Sequence, residues 1–185
     1  MIRVCRAAAI SLVGLTFGCS SNPQAESVLP SQYYKIVQIA SATEPSQDQD
    51  DEVIAHANKL IGQIKNPIVL GRLVSAFQNY DHRIEHDGRC ALCERLGMAA
   101  ESCLGSLSGL GSDAAAKELV RLWTDDKLLW DGGGGLWMGM CITRMGKPAL
   151  PHLESIVHEH RLSENYTERA KTYIECIHRG EVYGP

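Results

Sequence analysis

The stretch that decides the fold class runs from Leu136 to Val157 and reads LWMGMCITRMGKPALPHLESIV. Apolar residues recur at helical spacing on both sides of a Met145-Gly146-Lys147-Pro148 corner. Leu136, Met140, Cys141 and Met145 precede it; Leu150, Leu153 and Val157 follow, with His160 continuing the line. Two amphipathic helices joined by a tight turn satisfy that pattern. Proline presets the backbone of a first helical turn, and glycine permits the left-handed conformation that ends a helix. A related corner lies in SLSGLGSDAAAKELVRLW (106–123), and the two corner glycines, Gly111 and Gly146, are 35 residues apart. Recurrence at such a period signals stacked helical units.

Outward from these corners the chain keeps helical periodicity. Val53, Ala57, Leu60, Ile61 and Ile64 form one stripe behind an acidic cluster, Asp48-Gln49-Asp50-Asp51-Glu52, that suits the positive end of a helix dipole. Asn66 as N-cap and Pro67 at the first helical position restart the chain, with Leu70, Leu73, Val74 and Phe77 on the apolar face. So short a connection predicts that these two helices fold back on one another as an antiparallel hairpin. A helix from about 89 to 107 carries Leu92, Leu96, Ala99, Cys103 and Leu107; the next carries Ala116, Leu119, Val120 and Trp123. The stretch 124–135 ends in four glycines, which lose much entropy on ordering, and is expected to be a long mobile loop unless something holds it. A last helix starts at Ser163, turns Tyr166, Ala170, Tyr173, Ile174 and Ile177 inward, and stops at Gly180.

The chain of 185 residues has room for one domain with a real core, and its sparse aromatics beside plentiful aliphatics favour packed helices. A formal charge of −4, with no run of Lys or Arg, gives no basis for nucleic-acid binding. The N-terminus is a separate matter. Arg3 and Arg6 precede an apolar run, Ala7 to Phe17, that is too short for a bilayer-spanning helix of ~20 residues and fits a secretory signal peptide.

Leu15-Thr16-Phe17-Gly18-Cys19-Ser20-Ser21-Asn22 resembles the lipobox of bacterial lipoproteins. In that family the Cys thiol receives a diacylglyceryl group before cleavage leaves it as the first residue. The resemblance implies a signal peptide over 1–18, lipidation of Cys19 and, from Ser20 rather than Asp after it, the outer membrane facing the periplasm. Thr16 and Phe17 depart from the usual Leu and Ala/Ser. The processed chain carries 16 basic against 22 acidic residues, a formal −6, so attachment to an anionic bilayer would rest on the lipid. Residues 19–50, rich in Ser, Gln, Pro and acid, read as a flexible tether. Within it, Tyr33–Ile39 fits a short strand or a first helical turn equally well.

Met145-Gly146-Lys147-Pro148-Ala149-Leu150-Pro151-His152-Leu153 is similar to the HEAT-like repeats of bacterial proteins, which include the phycobilisome-lyase type. There a hydrophobic-Gly pair ends one helix and a Pro-Ala-Leu-x-x-Leu segment opens the next. Leu110–Leu119 matches with one extra residue before the second Leu, and Asn66–Leu70 matches loosely, with an insertion at 80–88. The resemblance implies an all-α domain over 51–185: a short α-solenoid of about three HEAT-like helical hairpins plus a C-terminal helix. Short solenoids offer one extended surface to a partner. The expected function is therefore a non-enzymatic, membrane-tethered scaffold that binds another, unidentified protein.

The competing chemistry is a thiol-redox or metal site. Cys90-Ala91-Leu92-Cys93 is a CxxC near a helix start, where a thiol pKa can fall. A local disulfide between Cys90 and Cys93, or two ordinary half-buried thiols, is the simpler reading, since no βαβ pattern accompanies it. His82 and His86 add two nitrogens, and four such donors suit tetrahedral zinc. A continuous helix would spread them along about 16 Å, so the Asp87-Gly88 turn would have to fold the two pairs together. No GxSxG, HExxH, P-loop or dinucleotide fingerprint occurs, and no cofactor is implied. Trp130, Trp137 and Tyr166 flank the glycine run and helix ends, where aromatics line grooves or pack between helices.

Overall fold

The computed structural model describes residues 30–41, 47–81, 91–125, 128, 132–159 and 162–184. The signal peptide, Cys19 and the first part of the tether lie outside them, as do His82, His86, Cys90, Trp130 and His160. The fold is all-α. The described helices are α1 (Ser31–Ser41), α2 (Gln47–Ile61), α3 (Pro67–Asp81), α4 (Ala91–Leu110), α5 (Asp113–Trp123), α6 (Gly132–Met145), α7 (Leu150–Glu159) and α8 (Glu164–Arg179).

The helices form two rows. In one, α2, α4, α6 and α8 each pack on the next; in the other, α3, α5 and α7 do the same. Contacts between rows, chiefly α3 on α4, α4 on α5 and α5 on α6, close the core, while α8 lies along α7. Apolar side chains at i, i+3, i+4 and i+7 give each helix the one face it needs to bury between the rows. Leu70, Leu73, Val74 and Phe77 of α3, and Leu96, Cys103, Leu104 and Leu107 of α4, are at most 1% exposed.

Two expectations about neighbours change. The 53–64 and 67–77 helices do not make an antiparallel hairpin: α2 packs on α1 and α4, while α3 pairs with α4 across the 82–90 segment. Likewise α6 and α7 meet mainly at the corner, where Lys147–Ala149 makes one 3₁₀ turn, and each packs on other helices beyond it. Periodicity fixes which face of a helix is apolar, but it does not say which helix covers that face.

Two segments expected to be loop or tether are helical. Tyr33–Ile39 is neither a strand nor a lone turn; it belongs to α1, whose Ile36 and Ala40 are 0% and 3% exposed. Arg95 of α4, itself buried, donates a 2.7 Å hydrogen bond to the Ala40 carbonyl at the end of α1. Part of the stretch read as a tether, Ser31–Ser41, is therefore a helix packed on α2 and α4. The four glycines at 132–135 are the first turn of α6, which is held by Met138, Cys141, Ile142 and Met145 in the core, and Leu128 ahead of it is 4% exposed.

The ends of the helices follow local rules. Asn66 Oδ1 accepts from the Ile68 and Val69 N–H groups at 3.0 and 3.4 Å, capping α3. Ser112 Oγ accepts from Ala115 N–H at 3.3 Å and caps α5. Gly111, Gly146 and Gly180 all have φ between +59° and +71°, a region that favours glycine, and they sit 35 and 34 residues apart. At Gly180 the N–H groups of Gly180 and Glu181 donate to the carbonyls of Ile177 and Cys176, a Schellman end.

Candidate interaction surface

The row α2–α4–α6–α8 exposes one face with unusual composition. Glu94, Met98 and Glu101 recur at i, i+4 and i+7 along α4 and are exposed, Met98 by 47%. Gly97, Gly105 and Gly109 lie among them on the same side of the helix. A Cβ at Gly97 or Gly109 would meet nothing within 4 Å, so the backbone there is open to an approaching group. One wall comes from α6: the indole of Trp137 reaches over Gly105, its Cζ2 3.9 Å from where a Cβ would stand, and donates from Nε1 to the Glu101 carbonyl at 3.0 Å. Burial raises the Glu101 carboxyl above its ordinary pKa. One side of α4 thus carries two carboxylates, a thioether and bare glycine backbone, with the Trp137 indole beside Gly105.

Around α8 the aromatics converge. Trp123 of α5 packs edge-on to Tyr166 with ring centroids 5.3 Å apart and against Tyr173 at 5.1 Å, both from α8. Tyr173 in turn meets Tyr183 at 5.0 Å, beyond the end of α8. Burial, with a smaller contribution from Tyr183, pushes the Tyr173 phenol up to about 12. Trp137 and Tyr166, expected together near the glycine run, therefore serve different seams: one ties α6 to α4, the other fills the α5–α8 contact.

Of the proposed thiol or metal cluster, only Cys93 lies within the described residues; it is half-buried in the first turn of α4. Among the described residues no group of three or more His, Cys, Asp or Glu side chains could hold a metal ion. The interior thiols are poor nucleophiles. Desolvation raises the Cys103 thiol strongly, and pushes Cys141 up to about 12, with Glu101 adding to the rise and Arg144 opposing it. His152 is tied to the start of α5, its Nε2 2.9 Å from Asp113 Oδ1, a pair at the surface that bridges two corners.

The residues overlooked in the sequence are Gly139, Thr143 and Tyr183. Thr143, 4% exposed, donates from Oγ1 to the Gly139 carbonyl at 2.9 Å and accepts from the Tyr183 N–H at 2.9 Å. A Cβ at Gly139 would fall 2.7 Å from Tyr183 Cδ1 and 2.8 Å from the Tyr173 hydroxyl. The only sequence signal was a glycine amid bulky residues in Leu136–Met145, at a position where a helix gains nothing from it. Comparison of the chain with protein-family models, with characterised proteins and with solved structures gave no match.

Proposed function

We propose that the protein is a non-catalytic, HEAT-like helical-repeat scaffold, tethered to the bacterial envelope through a lipid on Cys19, that binds another protein. The observation that carries this reading is the alternation of helices between two rows, each helix packing on the next but one. That arrangement spreads contacts along a stack and leaves an extended outer face, the geometry on which repeat proteins seat partners. Along that face, the surface carrying Glu94, Met98, Glu101 and Trp137 combines an exposed thioether with a half-buried indole, residue types enriched at protein interfaces. No described helix is long and apolar enough to cross a membrane, so attachment in this reading depends on the Cys19 lipid.

The test has two arms. Replacing Cys19→Ser should release the protein from membranes; retention in the membrane fraction would remove the anchor. A photo-crosslinking side chain at Met98 in the tethered protein should give a discrete adduct, whereas one at the exposed Arg72 on α3, in the other row, should not. Equal, diffuse labelling at both positions would remove the α4 face as the partner surface.

A further inference from the structure

After Gly180 the chain reverses, and its last described residues lie along α6 as a short strap. Glu181, Val182 and Gly184 are exposed; Tyr183 alone is partly buried. Its ring enters a notch whose floor is the bare backbone at Gly139, whose side is the Tyr173 ring at 5.0 Å, and whose rim is the Thr143 hydroxyl that accepts its N–H.

We propose that the notch formed by Gly139, Thr143 and Tyr173 is a docking site for an extended protein segment carrying an aromatic side chain, occupied in this chain by its own Tyr183. The strap itself identifies the ligand chemistry. The notch takes a flat ring, because a Cβ at residue 139 would collide with it, and it takes a main-chain N–H, because Thr143 Oγ1 spends its own proton on the Gly139 carbonyl. No hydrogen bond from the notch reaches the Tyr183 hydroxyl, so phenylalanine fits the same description. The side chains of the other described strap residues are exposed. Glu181 is held by its N–H bond to the Cys176 carbonyl and a 4.0 Å pair with Arg179, so beyond Glu181 the strap is held by one ring and one hydrogen bond. Such sparsely anchored segments belong to the low-stability end of a fold. The tether gives the cis occupant a high effective concentration, on the order of millimolar for a short flexible link, and an incoming segment must exceed that or bring further contacts on the stack.

The inference sharpens the scaffold reading by naming the chemistry of one partner segment. It is tested with the full chain and a synthetic hexapeptide covering Gly180–Pro185, titrated to millimolar concentration and followed by amide and side-chain NMR. Tyr183→Ala should bind the peptide saturably, with shifts centred on Gly139, Thr143 and Tyr173, at least about tenfold more tightly than wild type. A peptide with alanine in place of tyrosine should not bind. A second variant keeps every side chain but inserts a flexible Gly-Ser segment between Gly180 and Glu181; it should also bind more tightly than wild type. Folded variants without saturable binding, or equal binding of the alanine peptide, would reduce the notch to a rivet of the fold. That result would leave the scaffold reading standing, because the Met98 crosslink reports on a partner independently of the strap.

Discussion

The Tyr173 hydroxyl lies 2.8 Å from the point where a Cβ at Gly139 would stand, so α6 and α8 approach each other only because residue 139 has no side chain. Gly139→Ala should destabilise the protein by about 1–3 kcal/mol, since the rigid rings of Tyr173 and Tyr183 must shift. Gly97→Ala is the matched control. It sits in α4 with nothing within 4 Å of its added methyl, so it should stabilise by about 0.5–1 kcal/mol. Urea denaturation of both variants checks the opposite signs.

Leu104 is wholly buried in α4, the helix that touches both rows. Leu104→Ala should cost roughly 2–5 kcal/mol, the range for a buried leucine whose surroundings relax only in part. His152→Ala, which removes the pair with the exposed Asp113, should cost under about 1 kcal/mol. If the two losses were similar in size, the core would not be where the structure places it.

Stability should fall in alkali. Cys141 and Tyr173 have folded pKa values of about 12 against ordinary values of 9.0 and 10.0, and Cys103 is raised further still. Each group is protonated in the folded state while its unfolded counterpart ionises. The stabilisation is complete below pH 9 and is lost progressively as pH rises toward 12. Each fully engaged group contributes a slope of about 1.4 kcal/mol per pH unit. Cys141→Ala should flatten the fall in denaturation free energy between pH 9 and 11.

The same burial governs thiol labelling. In the native protein at pH 8, a water-soluble thiol reagent should modify Cys176, which is half-buried on α8, well before Cys103 and Cys141. Mass spectrometry of tryptic peptides after timed quenching gives the order. Under denaturant all three should react at similar rates.

Metal content separates the scaffold reading from the His82, His86, Cys90 and Cys93 alternative. Protein purified without chelator should carry zinc well below one equivalent. Stoichiometric zinc that disappears in a Cys90→Ser, Cys93→Ser double variant would establish the metal reading instead.

What the sequence made legible was local. The stripes on α3 and α5 are spelled out by aliphatics at helical spacing, and Asn66 and Gly180 mark helix ends by the chemistry of a cap and a left-handed turn, while Ser163 takes the N-cap position of α8 without a side-chain cap bond. The start of α6 was hidden because glycine is a weak helix former, and only the packing of Met138 and Ile142 draws residues 132–135 into a helix. α1 was hidden because Tyr33–Ile39 alone fits a strand or a helical turn, and its state is settled by packing on α2 and α4 and by the ring of Phe77, which stacks on Tyr33 at 5.5 Å. Partner choice between helices, and the meeting of Gly139 with Tyr183, are long-range facts that no local period encodes.

The three positive-φ glycines carry a consequence beyond turning the chain. They share the sign of φ but not one backbone state, since ψ is −136° at Gly146 and 24° at Gly180. Near-equal spacing therefore does not make the intervals interchangeable, because each corner sends the chain off in its own direction. Within a helix the constraint is tighter still: inserting one or two residues would rotate every apolar side chain beyond them away from the face that the core covers.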